Sequence, residues 1–129
     1  MELAAERHGD MLLVRVAEPR IDAAIAIQFK EAMRELVADG APRVVLDLAP
    51  VGFLDSSGLG AVVAVRKSIG PDRRLELAAL TPAVARVFRL TRMDSIFTIH
   101  PATPGPEPTA NRQAAPAAEA SLPDGADEA

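Results

Sequence analysis

The sequence predicts a small α/β sandwich: a mixed, mostly parallel sheet, an antiparallel strand at its N-terminal edge, and three helices. Segments of strand composition alternate with segments of helical periodicity over residues 1–100, in the order strand, strand, helix, strand, helix, strand, helix, strand. Strands separated by helices are expected to pair in parallel. The first two are separated only by His8-Gly9-Asp10, so we expect them to form an antiparallel hairpin.

The predicted strands are short aliphatic runs bounded by Gly, Pro or Asp. The hairpin consists of "ELAAER" (2–7) and "MLLVRVA" (11–17), and the parallel part of "RVVLDLA" (43–49), "RRLELAAL" (73–80) and "SIFTIH" (95–100). The run at 43–49 is apolar enough to be buried on both faces.

Three helices are predicted between these strands. In "IDAAIAIQFKEAMRELVADG" (21–40), apolar residues recur at helical spacing. Asp22 is its expected N-cap and Gly40 its C-terminal glycine. The second helix, "LGAVVAVRKSIG", ends at Gly70. The third, "PAVARVFRLTRM", starts with Thr81 as N-cap and Pro82 at its first position.

Residues 101–129 differ in composition, being rich in Pro, Ala, Gly and acidic residues, with Leu122 as the only large aliphatic residue. Such a segment buries too little apolar surface to offset the entropy of ordering it. We therefore predict a domain at 1–100 and a disordered tail at 101–129. An inert, solubilising tail is the preferred interpretation, because the composition specifies no docking target.

Composition also restricts location and partners. The chain has no cysteine and a formal net charge of −4, which fits a reducing compartment and argues against a nucleic-acid partner. The N-terminus resembles no signal peptide, and "LGAVVAV" is too short to span a bilayer. These features predict a cytoplasmic protein without membrane insertion.

The stretch "FLDSSGLG" (53–60) lies where a strand ends and a helix begins. It matches neither a dinucleotide fingerprint, nor a P-loop, nor a nucleophile elbow. Helix capping explains one hydroxyl. Gly58 and Gly60 weaken the helix start but offer a bare backbone that another molecule can approach closely. If the backbone dihedral angles of Gly58 are helical, Gly58→Ala is expected to fold at least as well as wild type.

The sequence contains little evidence for a catalytic site or a metal-binding site. His8 and His100 are placed at the outer ends of the first and last strands, with nothing to bring them to Ser56. Asp22, Asp47 and Asp55 could form paired carboxylates, although Asp47 could simply hold a backbone group. No His, Asp or Glu cluster has ligand spacing, so no metal, cofactor or enzymatic activity is predicted.

The segment "VVLDLAPVGFLDSSGLGAVVAVRKSI" (44–69) resembles the signature of the STAS domain, specifically of anti-sigma factor antagonists. "RIDAAIAIQFKEAM" resembles the entry to the family's first helix, with Asp22 at its acidic position. "LAALTPAVARVFRLTRMDSIFTI" resembles its last helix and strands. The resemblance covers about the first hundred residues.

This resemblance implies partner switching. The unmodified protein would bind an anti-sigma factor that is also a GHKL-type serine kinase, and would thereby release the sigma factor. The kinase would phosphorylate Ser56, which blocks binding, and a serine phosphatase would reverse this. The partner-binding residues so implied are Asp22, Asp55, Ser57, Gly58, Leu59 and Gly60. Ser57 is expected to help cap the helix while Ser56 points outward, and the Asp55 carboxylate to orient the Ser56 hydroxyl or a kinase-bound magnesium.

Two departures from the family pattern stand out. Pro19-Arg20 replaces a glycine that usually precedes the acidic residue of the first helix, near the expected phosphorylation site. The family's fourth helix is also expected to be missing, because Pro101 begins the tail.

Two other functions stay open: a scaffold subunit of a lipid or anion transport complex, and an enzyme with Ser56 as nucleophile.

Overall fold

The computed structural model describes residues 1–104, most of which form regular secondary structure. Its strands are β1 (Leu3–His8), β2 (Met11–Val16), β3 (Arg20–Ile21), β4 (Arg43–Asp47), β5 (Phe53–Leu54), β6 (Arg74–Ala78) and β7 (Ile99–His100). Its helices are α1 (Ala26–Val37), α2 (Ser56–Ile69) and α3 (Pro82–Leu90), followed by a 3-10 turn (Met93–Ser95). The predicted disorder of the tail and the missing fourth helix concern mainly residues 105–129, which lie outside the described residues. The domain boundary at residue 100 stays a prediction.

The main sheet has five strands in the order β1-β2-β4-β6-β7. β1 runs antiparallel to β2, and every other neighbouring pair is parallel. The hairpin turns at Gly9, whose φ of +63° is a conformation that glycine adopts without strain. These pairings confirm the predicted mixed sheet with an antiparallel edge.

A second, two-stranded sheet was not predicted. β3 pairs with β5 in parallel, with Arg20 opposite Phe53 and Ile21 opposite Leu54. Strands of two residues have no alternation to detect in a sequence. The small sheet nevertheless holds the chain before α1 against the chain before α2, and this proximity shapes the functional site.

All three helices pack into one core with one face of the main sheet. Alternate residues of β2 (Leu12, Val14, Val16) point into this core, together with Val44 and Leu46 of β4 and Leu75 and Leu77 of β6. α1 contributes Phe29, Met33 and Val37, and α2 and α3 add Val62, Val65, Ile69, Val84 and Phe88. The predicted burial of β4 on both faces is confirmed, because Val45 is also fully buried.

Two predicted boundaries were wrong. α1 starts at Ala26 with Ile25 as N-cap, so Asp22 does not cap the helix. Asp22 instead closes a turn before it, where its carboxylate accepts from the Ala24 N–H at 3.1 Å. The last strand is also shorter than predicted, because Met93–Ser95 form a 3-10 turn and Phe97 packs edge-on against Phe88 in the core. The hydrogen bonds of the turn at Asp22 delay the start of α1, and the burial of Phe97 shortens the last strand.

Two of the three other predicted helix-end signals, Thr81 and Gly70, are confirmed. Thr81 caps α3 by accepting from the Val84 N–H, and its hydroxyl also donates to the Val51 carbonyl at 2.9 Å. Gly70 ends α2 with a φ of +86°. The prediction for Gly40 was wrong, because α1 ends at Val37 with Ala38 as its C-cap. Gly40, at a φ of +87°, turns the chain towards β4 and donates its N–H to the Val37 carbonyl.

The other face of the main sheet is partly polar. Met11, Val45 and Ala78 form a small cluster there, to which no helix residue belongs. Beside them Glu76 is only 4 % exposed. Its carboxylate contacts His100 Nε2 at 2.8 Å, Arg43 at 3.0 Å and Arg74 at 3.1 Å. Burial raises the pKa of Glu76, but the hydrogen bonds from His100 and Arg43 and the two arginine charges outweigh it and lower the pKa below 4.5.

Glu76→Gln should destabilise the domain at pH 7 by roughly 1.5–3 kcal/mol, the usual contribution of a hydrogen bond to a charged group. A lowered pKa means that the carboxylate stabilises the fold above about pH 4.5 and that this stabilisation is lost as the pH falls through the folded-state pKa. The gap between wild type and variant in urea unfolding should therefore shrink below pH 4.5. A gap that is constant from pH 7 to pH 3 would contradict this account.

Candidate functional site

The site is built where β5 gives way to α2. Asp55 has extended backbone (φ −97°, ψ −174°), and its carboxylate accepts from the Gly58 N–H at 2.9 Å. Asp55 is therefore the N-cap of α2, and the prediction that Ser57 shares this role was wrong. The helix begins one residue after the aspartate, at Ser56, so both serines already lie in its first turn.

The second oxygen of the Asp55 carboxylate crosses to another part of the chain. It accepts from the Ala23 N–H at 3.2 Å, in the turn between β3 and α1. The Asp55 N–H in turn donates to the Ile21 carbonyl at 3.4 Å. One side chain thus caps α2 and ties its N-terminus to the entry of α1. Asp55 therefore holds the two segments together within the domain, and its expected role in orienting the Ser56 hydroxyl or a kinase-bound magnesium stays a prediction.

Ser56 and Ser57 are both exposed. Within residues 1–104, no hydrogen bond to either hydroxyl is formed. Neither histidine lies near them. His8 is paired with Met11 in the hairpin, and His100 contacts Glu76, so both histidines lie on the sheet face opposite the helices. The described residues therefore offer Ser56 no histidine base, although its hydroxyl is open to another molecule.

Gly58 is buried, and its role differs from the predicted one. A Cβ at this position would overlap the Ile21 carbonyl oxygen and lie 3.2 Å from the Ile21 Cγ2. Gly58 thus allows α2 to pack against β3 of the same chain, and the expectation that Gly58→Ala folds at least as well as wild type was wrong. Gly60 is different, because it is exposed and a Cβ there would meet nothing within 4 Å.

Arg20 and Phe53 form an exposed pair on the small sheet that precedes the serines, and Arg20 also contacts the half-buried Asp22. The Arg20 guanidinium lies over the Phe53 ring, 5.0 Å from its centroid, and its Nε donates to Asp22 at 3.0 Å. Phe53 is 46 % exposed although it is large and apolar. The family resemblance placed Pro19-Arg20 near the site, but the stacking was not predicted, because Arg20 and Phe53 are 33 residues apart in the sequence and no local pattern joins them.

The structure thus brings the predicted residues together but gives them different tasks. Asp55 and Gly58 shape the site from within, and Leu59 is half-buried against the main core. Ser56, Ser57 and Gly60 present the exposed surface. Asp22 lies at its edge, held by Arg20. Within residues 1–104, no helix is long and apolar enough to span a membrane.

Gly58→Ala should lower the free energy of unfolding by about 1–3 kcal/mol, the usual cost of forcing extra volume into a packed region. Gly60→Ala is the matched control, because it adds the same methyl group to the same helix in open space. It should leave stability unchanged or raise it by up to about 1 kcal/mol. Urea unfolding of both variants tests this, and equal stabilities would show that the contact with Ile21 relaxes without cost.

Asp55→Ala should cost at least the roughly 0.5–2 kcal/mol of a lost N-cap, since it also removes the link to Ala23. Ser57→Ala should unfold close to wild type, because its hydroxyl caps nothing. Thermal unfolding of the two variants compares them directly. A comparable loss in Ser57→Ala would return the capping role to that serine.

The model of the STAS domain matches residues 2–104, which is nearly all of the described chain. The chain is 34 % identical over 89 residues to the anti-sigma-F factor antagonist RsfB of Mycobacterium tuberculosis, covering 66 % of this chain and 73 % of that protein. It is 33 % identical over 91 residues to the putative anti-sigma factor antagonist BtrV of Bordetella bronchiseptica, covering 70 % and 78 %.

A crystal structure of an anti-sigma factor antagonist from Mycobacterium paratuberculosis has the same fold. It superimposes with a TM-score of 0.72 at 32 % identity, covering 78 % of this chain and 86 % of that one. The similarity thus extends from the short signature to the whole described architecture.

Proposed function

Because the chain belongs to the STAS domain family, we propose that it is an anti-sigma factor antagonist in a partner-switching system. Its unphosphorylated form binds an anti-sigma factor with GHKL-type serine kinase activity and so frees the sigma factor. Phosphorylation of Ser56 ends this binding, and a serine phosphatase restores it. The relatives named as antagonists of anti-sigma factors support the partner class.

The observation that carries the proposal is the exposed Ser56 hydroxyl at the first position of α2, directly after a braced N-cap. A kinase needs a hydroxyl that its active site can reach. The Ser56 hydroxyl is accessible in this way just after β5, where hydrogen bonds from the Gly58 and Ala23 N–H groups hold the Asp55 side chain. The same rigidity lets a partner bind the surface without first ordering it, which favours affinity.

The charges around Ser56 explain how a phosphate would act as a switch. A phosphoserine carries about −1.5 to −2 charges at pH 7. In the free domain, the N-terminus of α2 and surrounding water tolerate this charge. In a complex the same group would be desolvated, close to the carboxylates of Asp22 and Asp55. The phosphate therefore penalises the complex far more than the free domain.

The close approach of a partner, predicted for Gly58 and Gly60 together, is left to Gly60 alone. It lies one helical turn beyond Ser56 on exposed α2 surface, and, apart from its chain neighbours and the nearby backbone of α2, nothing in residues 1–104 comes within 4 Å of the position of a Cβ. Glycine in a helix costs about 1 kcal/mol relative to alanine. A partner that packs directly on this backbone accounts for that cost, and Ser57 and the exposed Phe53 extend the same surface.

Two other functional classes fit less well. A scaffold in a transport complex would not require an accessible serine with the complete Asp55–Gly60 motif, and the named relatives are antagonists. An enzyme with Ser56 as nucleophile would need a base, and His8 and His100 both lie on the opposite face of the sheet. We accordingly propose a non-catalytic binding protein that acts in the cytoplasm, where such kinases and sigma factors operate.

Ser56→Ala should fold normally, bind the partner kinase and take up no phosphate, whereas Ser57→Ala should still be phosphorylated. Ser56→Asp should bind at least about 30-fold more weakly, corresponding to 2 kcal/mol or more for a charge in a desolvated contact. The kinase is first identified by comparing proteins captured from extract by wild type and by Ser56→Asp. Phosphopeptide mapping with ATP and calorimetric titration then give the site and the affinities.

Gly60→Ala is the matched control for the interface, because it keeps both serines and should fold stably. It should bind more weakly than wild type while its unphosphorylated domain unfolds at the same denaturant concentration or higher. Phosphate on Ser57 alone would show that Ser57, and not Ser56, is the phosphorylated residue. Phosphate on neither serine in the presence of a bound kinase would leave the scaffold function as the better account.

A further inference from the structure

The charges of this chain are unevenly divided along its length. Residues 1–104 contain 13 basic and 13 acidic side chains, so the described domain is formally neutral. The whole net charge of −4 belongs to residues 105–129, which contain Arg112 and five acidic residues. Four of these acids fall within residues 119–128, together with Leu122. We call residues 119–128 the acidic segment.

The described domain has a groove of opposite charge, with a volume of about 480 Å³, at the C-terminal end of α2. It is lined by apolar residues that include Ile96 and Pro71, and by Arg66, Lys67, Arg73 and Arg74. Glu76 is the one acidic residue in this lining. The lining therefore combines four positive charges with one negative charge.

Most of this positive charge is not neutralised within residues 1–104. Arg73 donates to the carbonyls of Val37 and Ala41, which orders its side chain without cancelling its charge. Arg66 lies over the Phe97 ring, 5.8 Å from its centroid, and neither it nor Lys67 forms an ion pair with a residue of 1–104. Arg74 shares Glu76 with Arg43. The groove is thus a basic surface, on which contacts with neighbouring residues order the Arg66 and Arg73 side chains.

We propose that the acidic segment of the same chain binds this basic groove. Its carboxylates pair with Arg66, Lys67 and Arg74, and Leu122 packs against Ile96, which is 36 % exposed and lies in the lining. The segment matches the groove in charge and in apolar character. It combines clustered negative charge with the one large aliphatic residue beyond residue 104. This assigns residues 119–128 a binding role in place of an inert one.

The length of the chain permits this contact. Fourteen residues lie between Pro104 and Glu119. The chain between these two residues can span up to roughly 50 Å, whereas a domain of this size has a radius of gyration of about 13 Å. Because groove and segment belong to one molecule, even a contact with millimolar intrinsic affinity is populated. Ser56 lies at the other end of α2, about 20 Å away along the helix. The contact leaves the serine exposed, so this proposal is independent of the proposed function.

The absence of cysteine allows a direct test in the full-length chain. Ser121→Cys provides a unique site for a nitroxide spin label, whose effect on the backbone amide NMR signals of the ¹⁵N-labelled protein reports proximity. Signals of Lys67, Gly70 and Thr98 should lose most of their intensity. The loss should be reversed at about 0.5 M NaCl, where the Debye length falls to about 4 Å.

Lys67→Glu should restore these signals, and Lys30→Glu on α1 is the matched control that should leave them broadened. Leu122→Ala should restore them in part. Absence of broadening at the groove, broadening spread evenly over the domain, or indifference to Lys67→Glu would each overturn the proposal. Broadening between unlabelled, spin-tagged molecules and ¹⁵N-labelled ones in a mixture would also overturn it, because the occupant would then be a second copy.

Discussion

The contact between Gly58 and the Ile21 carbonyl is the constraint on which the functional surface depends. A helix that starts with bare backbone can approach β3 closely, and no side chain larger than hydrogen fits between them. This approach puts the Asp55 carboxylate within reach of Ala23 and the Asp55 N–H within reach of Ile21. The small β3–β5 sheet, the entry of α1 and the first turn of α2 are thereby held as one unit.

Within this unit the motif Asp55–Gly60 divides its tasks by burial. Asp55, Gly58 and Leu59 face inward and define the position and direction of α2. Ser56, Ser57 and Gly60 alternate with them on the helix surface and remain exposed. A short helical stretch can therefore be structural on one side and available for modification on the other. This arrangement suits a switch, because a phosphate can be added without disturbing the hydrogen bonds that hold the site.

The two ends of α2 differ in chemistry. Its N-terminal end presents hydroxyls, a glycine and the Arg20–Phe53 stack, whereas its C-terminal end carries a concentration of positive charge. On the opposite face of the sheet, Glu76 is buried and its carboxylate is satisfied by Arg43, Arg74 and His100. The domain is formally neutral overall, yet this groove gathers four basic side chains. The excess negative charge lies entirely in residues 105–129.

The sequence by itself determined the architecture, because alternating strand and helix patterns, the short hairpin turn and the caps at Thr81 and Gly70 are local signals with local causes. It also identified the stretch that carries the site. Only the tertiary structure decided what each residue does there. Whether a glycine serves its own chain or a partner, as Gly58 and Gly60 show, depends on what lies opposite its missing side chain. Whether Asp55 or Ser57 caps α2 depends on backbone dihedral angles that β3 imposes from thirty residues away. Non-local packing decides both, and no periodicity in the sequence records it.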